Sequence, residues 1–415
     1  MFKDKCNGVL CYAKVFLKWL LLALLIGAIG GVVGTVFSLV LSQVMRLRLE
    51  NDWLIFLLPI GGVASVGLYK LFKVTGVDTN DVFKSVRTEK KVPYLLAPAI
   101  FICTTITHLL GGSAGREGAA LQLGGSISSL LGRILRLDEK TRHILTICGM
   151  GAFFSALFGT PIGAGIFALE VVSVGYFCSA AFFPTIISSI TAFYISTILG
   201  VHPERFTISL IPEFSLLTAS KTAIIGIACA LVSILFCVVI HYSSILFKKA
   251  FSNDFLRIIV GALIIVGLTF LLQTRDYNGG GMEVISGIFE NGTVKYEAFI
   301  LKLLFTAITI GVGFKGGEIV PTLFIGATLG AIIGNLIGFD ITLAAAIGMM
   351  ALLSGVTNCP LATLVLSVEL FGGESLLFIS VAIVISFLLS GNYSLYTGQR
   401  FAFSKLNEEI IEIED

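Results

Sequence analysis

Charge is what this sequence has least of. Only 13% of its 415 residues are Asp, Glu, Lys or Arg, against 56% hydrophobic, and the mean hydropathy is +0.97. Soluble domains carry about 25% charged residues, so this composition excludes a water-exposed globule and requires an integral membrane protein with the lipid bilayer as partner. Proline is also scarce, at nine residues. The eight cysteines form no Cys-x-x-Cys pair and lie mostly in apolar runs, where they read as small buried hydrophobes. The four histidines, 108, 143, 202 and 241, have no metal-ligand spacing. No metal or other cofactor is therefore expected. No His/Ser/Cys/Asp grouping sits in an apolar run to build a nucleophile, which argues against an enzyme. The net charge of +2 leaves no footprint for nucleic acid.

Glycine, by contrast, is plentiful, with 45 residues, which suits close helix packing and broken helices inside a membrane. Apolar runs follow one another along the chain, and its length allows roughly 10 to 18 membrane segments, some too short to span alone. An all-α polytopic membrane protein is expected. Lys3, Lys5, Lys14 and Lys18 flank the first run. Arg133, Arg136, Lys140 and Arg142, then Lys248, Lys249 and Arg257, mark further candidate cytoplasmic loops. The first apolar run, Trp19 to Val44, is longer than the core of a signal peptide and reads as a retained helix. The organisation expected is a cytoplasmic N-terminal segment 1–13, a membrane unit 14–201, a linker 202–220, a second unit 221–401, and a short acidic tail 402–415 with no regulatory domain.

The two units are repeats. In "GMGAFFSALFGTPIGAGIFALE" from Gly149 and "GMMALLSGVTNCPLATLVLSVE" from Gly348, five special residues match without a gap. They are Gly149/Gly348, Ala152/Ala351, Ser155/Ser354, Pro161/Pro360 and Glu170/Glu369, each 199 apart. Upstream, Glu117 with Gly125 and Glu318 with Gly326 share a spacing of eight, at an offset of 201. Membrane repeats of this kind are common in transporters, with substrate sites at the repeat interface on discontinuous helices.

The charges inside apolar surroundings then need reasons: Arg116, Glu117, Glu170, Lys315, Glu318 and Glu369. "GGSAGREG" and "GFKGGEIVP" each precede a long apolar run. A helix starting there presents unpaired N–H donors and the positive end of its dipole, and Pro321 suits such a start. Two such starts converging from two repeats would make an anion site without a fixed cation. Two readings fit Glu117. Ionised, it can occupy the anion site itself and, protonated, swing away; or it pairs with Arg116 and only holds two helices. Neighbours on a helix point about 100° apart, which makes that pair a poor one. Arg116 reads as a support that satisfies carbonyls, and Lys315 as an interfacial residue that anchors Glu318. Glu170 and Glu369 read as helix-end residues capping neighbouring backbone.

Four stretches together resemble the CLC family of chloride channels and anion/proton exchangers: "GREGAALQLGG" (115–125), "GTPIGAGIFALE" (159–170), "GGEIVPTLFIGATLG" (316–330) and "NYSLYTGQ" (392–399). The resemblance implies a homodimer with one anion path per subunit and inverted-topology repeats of short, tilted helices. Departures narrow it. In "TGVDTN" Val77 stands near the family's usual serine, beside Asn80; Ala119, not proline, follows Gly118; Glu318 stands where most members are apolar; and Val171 replaces a common inner glutamate. This set is similar to the bacterial fluoride/proton antiporter branch, which exports fluoride across the cytoplasmic membrane. The branch often has threonine where Val320 stands here, with Thr322 coming later. Glu117 and Glu318 are implied in gating and proton transfer. The anion path is implied to run past Val77, Asn80, Gly115, Arg116, Gly118, Ala119, Gly316, Gly317, Ile319, Val320 and Thr322, with a pore tyrosine that is either Tyr396 or Tyr393. A chloride/proton antiporter or passive chloride channel is the alternative.

Overall fold

The computed structural model describes residues 2–88, 90–402 and 404–405, with side chains from Tyr12 onward. The acidic tail expected at 402–415 thus lies almost entirely outside the described residues. Helices dominate the rest, eight in each half. The first half holds α1 (Phe2–Glu50), α2 (Leu58–Leu71), α3 (Thr79–Ser85), α4 (Leu96–Leu109), α5 (Glu117–Ile134), α6 (Glu139–Phe158), α7 (Pro161–Glu170) and α8 (Ser179–Ile198). The second holds α9 (Leu216–Ala250), α10 (Asp254–Leu272), α11 (Met282–Asn291), α12 (Ala298–Val312), α13 (Ile319–Leu336), α14 (Ile341–Thr357), α15 (Pro360–Phe371) and α16 (Leu376–Leu389). The segment 1–13 belongs to the opening turns of α1 from Phe2 onward. Among the described residues, seven helical stretches are long and apolar enough to cross a membrane. Others, such as the ten-residue α7, are too short to cross alone.

The same packing recurs in both halves: α5 on α6 as α13 on α14, α1 on α8 as α9 on α16, and α4 on α5 as α12 on α13. Glycine sets the closest of these approaches. Gly124 faces the backbone of Gly149, and Gly326 faces that of Gly348, with no room for a Cβ at either. The helices α6, α13 and α14 are surrounded by protein; α1, α9 and α10 turn much of their apolar surface outward, as lipid-facing helices do. Where the halves meet, equivalent segments run antiparallel, so the repeats have inverted topology.

The inter-repeat stretch is tied down. Phe206 N–H bonds the Leu370 carbonyl at 3.0 Å, and the Phe206 ring stacks on Phe289 at 4.7 Å. A second fastening joins the C-terminal end: β1 (Ser173–Val174), just after α7, pairs in parallel with β2 (Arg400–Phe401). Lys405 then clasps Asn358, Ser390 and the Phe387 carbonyl.

Candidate functional site

The two glycine-rich stretches meet at the centre. Gly115 and Gly317 exchange both backbone hydrogen bonds, N to O at 2.6 and 2.7 Å. The helices that follow, α5 and α13, begin immediately beyond this contact with no side-chain cap. Their first N–H groups are therefore available to a ligand. A Cβ at Gly317 would collide with the Gly118 amide, and one at Gly316 with Ala114. Only glycine lets the two helix starts approach this closely. Gly118, Ala119, Ile319 and Val320 are buried around the junction.

This contact corrects the repeat register. Gly115 pairs with Gly317, and the residues preceding the two helices, Arg116 and Glu318, have matching backbone angles (φ −109°, ψ −15° and φ −100°, ψ −11°). Gly124, not Gly125, makes the contact that Gly326 makes in the other half. The offset here is therefore 202. Glu318 corresponds to Arg116, and Ile319 to Glu117. The adjacent pair Gly124-Gly125 had allowed a match one residue out of step.

Glu117 is fully buried. Its Oε2 accepts the Arg116 N–H at 3.0 Å, and its carboxylate is faced by the backbone amides of Arg116, Glu117 and Val320, hence by both helix starts. Oε1 has no hydrogen-bond partner and lies 3.7 Å from Arg116 Nε. Arg116 thus does pair loosely with its neighbour. The 100° argument fails because α5 begins at Glu117, leaving Arg116 outside the helical spacing. The Arg116 guanidinium also donates to the Leu157 carbonyl at 3.3 Å and to Glu204 at 3.4 Å, fixing it to the end of α6 and to the inter-repeat stretch. Behind them, His108 is buried with Nε2 at 3.2 Å from the Gly115 carbonyl, which can only accept, so Nε2 carries the proton.

A cavity of about 820 Å3 opens from the ends of α2, α9 and α12 to this junction. Lys248, Arg257 and Lys315 line its walls, together with Asp78 and Asp254. Its inner end is formed by Glu318, Tyr396 and Gln122, beside Val77, Asn80 and Gly316. Three buried oxygens there have no hydrogen-bond partner: Glu318 Oε2, Tyr396 Oη and Gln122 Oε1. Glu117 and Glu318 are both within electrostatic reach of Tyr396. Glu117 does not line the cavity; the junction seals it off.

The tyrosine alternatives separate. Tyr396 is 3% exposed, its ring edge-on to Phe83 at 5.1 Å. Tyr393 is 48% exposed and outside the cavity lining, with its carbonyl bonded by Asn358. Neither lies in a helix; both follow the end of α16. Asn80 is engaged at both ends: Oδ1 accepts the Gly398 N–H at 2.8 Å and Nδ2 donates to Asp78 at 3.1 Å. It holds the Tyr396 turn against α3 and keeps one amide N–H beyond these two bonds. Thr322 donates its hydroxyl back to the Glu318 carbonyl at 2.8 Å, within the first turn of α13. Lys315 makes no ion pair with Glu318; its ammonium lies 4.2 Å above the Tyr69 ring.

The other matched glutamates have a different task. Glu170 accepts N–H bonds from Leu361 and Ala362 at 3.2 and 2.7 Å, at the start of α15. Glu369 accepts from Ile162 and Gly163 at 2.9 and 2.8 Å, at the start of α7. Each caps the other repeat's helix. Three residues escaped the sequence reading. Gln122 had a signal, a lone amide five residues after Glu117 in an apolar run. Lys302 and Arg48 had only a charge inside a helix, which resembles many helix-end cations until burial is seen.

Comparison with known proteins now adds a family. The sequence profile of voltage gated chloride channels matches residues 61–391. A chloride/fluoride channel protein of Pseudomonas syringae pv. tomato is 33% identical over 404 residues, covering 95% of this chain and 89% of that protein. The fold superposes on a crystal structure of a CLC-type fluoride/proton antiporter with a TM-score of 0.89 at 34% identity, covering 93% of this chain and 98% of that one. It also matches a slow cyanobacterial Cl−/H+ antiporter with a TM-score of 0.74, covering 90% of this chain and 94% of that one, where 19% identity speaks for fold alone. The inverted repeats, the paired glycine contact and the two facing helix starts thus occur in a chain that belongs to the CLC, or voltage-gated chloride channel, family of multi-pass membrane proteins.

Proposed function

We propose that the protein exchanges fluoride for protons and exports fluoride across a bacterial cytoplasmic membrane, working as a homodimer whose subunits each carry a path built from repeat units 14–201 and 221–401. The observation that carries this reading is the buried Glu117 carboxylate set between two uncapped helix starts, with one oxygen free. That is where an anion would sit. The basic vestibule, with Lys248, Arg257 and Lys315, is taken as the cytoplasmic side. Fluoride enters there and reaches Glu318 and Tyr396. Fluoride is a small, strongly hydrated acceptor, so it must exchange its water for strong donors. A protonated Glu318 and the Tyr396 hydroxyl can each donate one hydrogen bond to it. Val77 supplies no hydroxyl, in contrast with the serine usual at this place.

Fluoride arriving at the junction and Glu117 compete for the same amides. Protonation neutralises Glu117, frees it from those amides, and lets the anion take its position. Each cycle of displacement and return thereby moves a proton against an anion. The likeness to a CLC-type fluoride/proton antiporter at 34% identity supports fluoride over chloride. The deciding experiment places purified protein in liposomes and compares fluoride and chloride efflux while recording pH. Fluoride efflux well above chloride, with protons driven uphill, is expected. Equal efflux of the two anions removes the selectivity, and efflux that never moves protons uphill removes the exchange.

A further inference from the structure

A second, smaller cavity of about 120 Å3 lies on the opposite side of the junction. Its lining repeats that of the large vestibule. Arg48 stands 200 positions before Lys248, near the matching ends of α1 and α9. Gly111 stands 202 before Gly313, and both have positive φ, 87° and 110°. Thr75, Gly76 and Asp78 line the vestibule, and Arg275, Asp276 and Asn278, each 200 later, line the small cavity. The two connecting turns share even an unusual left-handed residue at the helix end, Lys73 (φ 56°) and Gln273 (φ 51°). The small cavity is therefore the pseudo-symmetric partner of the vestibule, at the outer mouth of the same path.

Its charges are nearly all accounted for. Arg275 pairs with Asp52 at 2.5 Å, Asp276 pairs with Lys295 at 2.7 Å, and Glu283, exposed in the first turn of α11, faces Arg48 across the cavity without forming an ion pair with it. Arg48 differs. It is 8% exposed, packs against Gly279, where no Cβ would fit, and its buried Nη1 has no hydrogen-bond acceptor. Burying a guanidinium with N–H donors unused is costly unless an anion offsets it. The surrounding backbone is fixed to the ion path: Asn278 Nδ2 donates to the Gly111 carbonyl at 2.8 Å, and Gly279 N–H to Gly112 at 3.1 Å. From inside, the buried Lys302 ammonium holds the same turn through the Tyr277 and Gly279 carbonyls, at 3.1 and 2.7 Å. The N-terminus of α11, with no side-chain cap, starts from this turn at Met282.

We propose that this cavity is an outer anion site, in which the Arg48 guanidinium holds a monovalent halide next to the glycine turn that leads to Glu117. It deepens the reading of the protein as an anion/proton exchanger and rests on it. An arginine in a small wet cavity has no means of ranking halides by size, so this site accepts chloride and bromide as well as fluoride, and selection is left to the junction. Its charge raises the local anion concentration at the outer mouth.

Two measurements test it. Crystals soaked in bromide are expected to show anomalous density beside Arg48 in the wild type and none in Arg48→Met. This readout needs no transport, so it stands even where fluoride exchange itself fails. Fluoride flux is then measured from each side, in right-side-out and inverted membrane vesicles. In Arg48→Met, half-saturation for fluoride entering from the outer side rises about tenfold at low ionic strength, and the difference shrinks as salt is added. Half-saturation from the cytoplasmic side stays at the wild-type value, and Arg48→Lys restores most of the outer-side affinity. Bromide density absent from the wild type overturns the proposal. So does density that survives Arg48→Met, or an equal change from both sides.

Discussion

Two pairs of glutamates, drawn from the same repeats, have opposite fates in this protein. Glu170 and Glu369 are true equivalents, 199 positions apart, and each gives both carboxylate oxygens to amides at the start of the other's helix. Their chemistry is complete within the fold. Glu117 and Glu318 are not equivalents, since Glu318 corresponds to Arg116, and each retains an oxygen with no hydrogen-bond partner. The symmetric pair fastens α7 to α15. The asymmetric pair leaves one carboxyl group sealed at the junction and one facing the vestibule, which the proposed function puts in series along the anion path. Buried acceptors left unpaired are costly and need a reason, and a transported ion with its proton provides one.

Substitutions can break this contrast, beginning with the largest effect. Glu117→Gln is expected to abolish proton coupling altogether, with anion-driven proton movement in liposomes falling to background while the thermal midpoint in detergent stays close to wild type. Glu318→Ala removes a carboxyl donor to the anion, and fluoride flux is expected to fall about 10- to 100-fold, the equivalent of a hydrogen bond to a charged group. Chloride flux in the same variant changes less, which the paired efflux assay reads directly.

The symmetric pair should behave in the reverse way. Glu170→Ala or Glu369→Ala leaves two N–H groups without a cap and is expected to cost about 1 to 2 kcal/mol of stability, seen as a lowered thermal midpoint. The ratio of protons to anions moved should be unchanged. Because both residues act on the same helix pair, the double variant is expected to depart from additivity. The smallest effect sharpens the tyrosine assignment. Tyr396→Phe deletes a neutral donor and should slow fluoride flux about 2- to 10-fold, while Tyr393→Phe should leave it unchanged.

Much of this arrangement was legible in residues. Glycines on either side of Arg116-Glu117 and before Glu318 marked helix starts, and the starts meet there. The gapless match around Pro161 and Pro360 identified the symmetric pair, and helix-end capping was the right reading for Glu170 and Glu369. Register at the junction was not legible. In a stretch containing Gly124 and Gly125 side by side, identity cannot tell which glycine faces the neighbouring helix; only the close approach to Gly149 decides it. Asn80 was legible as a polar candidate, but its amide bonds to Gly398 and Asp78, 318 and two residues away, were not.

The sequence by itself determined that this chain lives in a membrane, that it is built twice, and that two glycine-flanked helix starts carry its buried charges. Those are consequences of composition, periodicity and glycine placement, which act locally. Which carboxylates end up satisfied was decided only by the tertiary structure. A glutamate becomes a helix cap or keeps an unpaired oxygen according to the amides brought to it from the other half of the chain, and that is a matter of how the two halves pack.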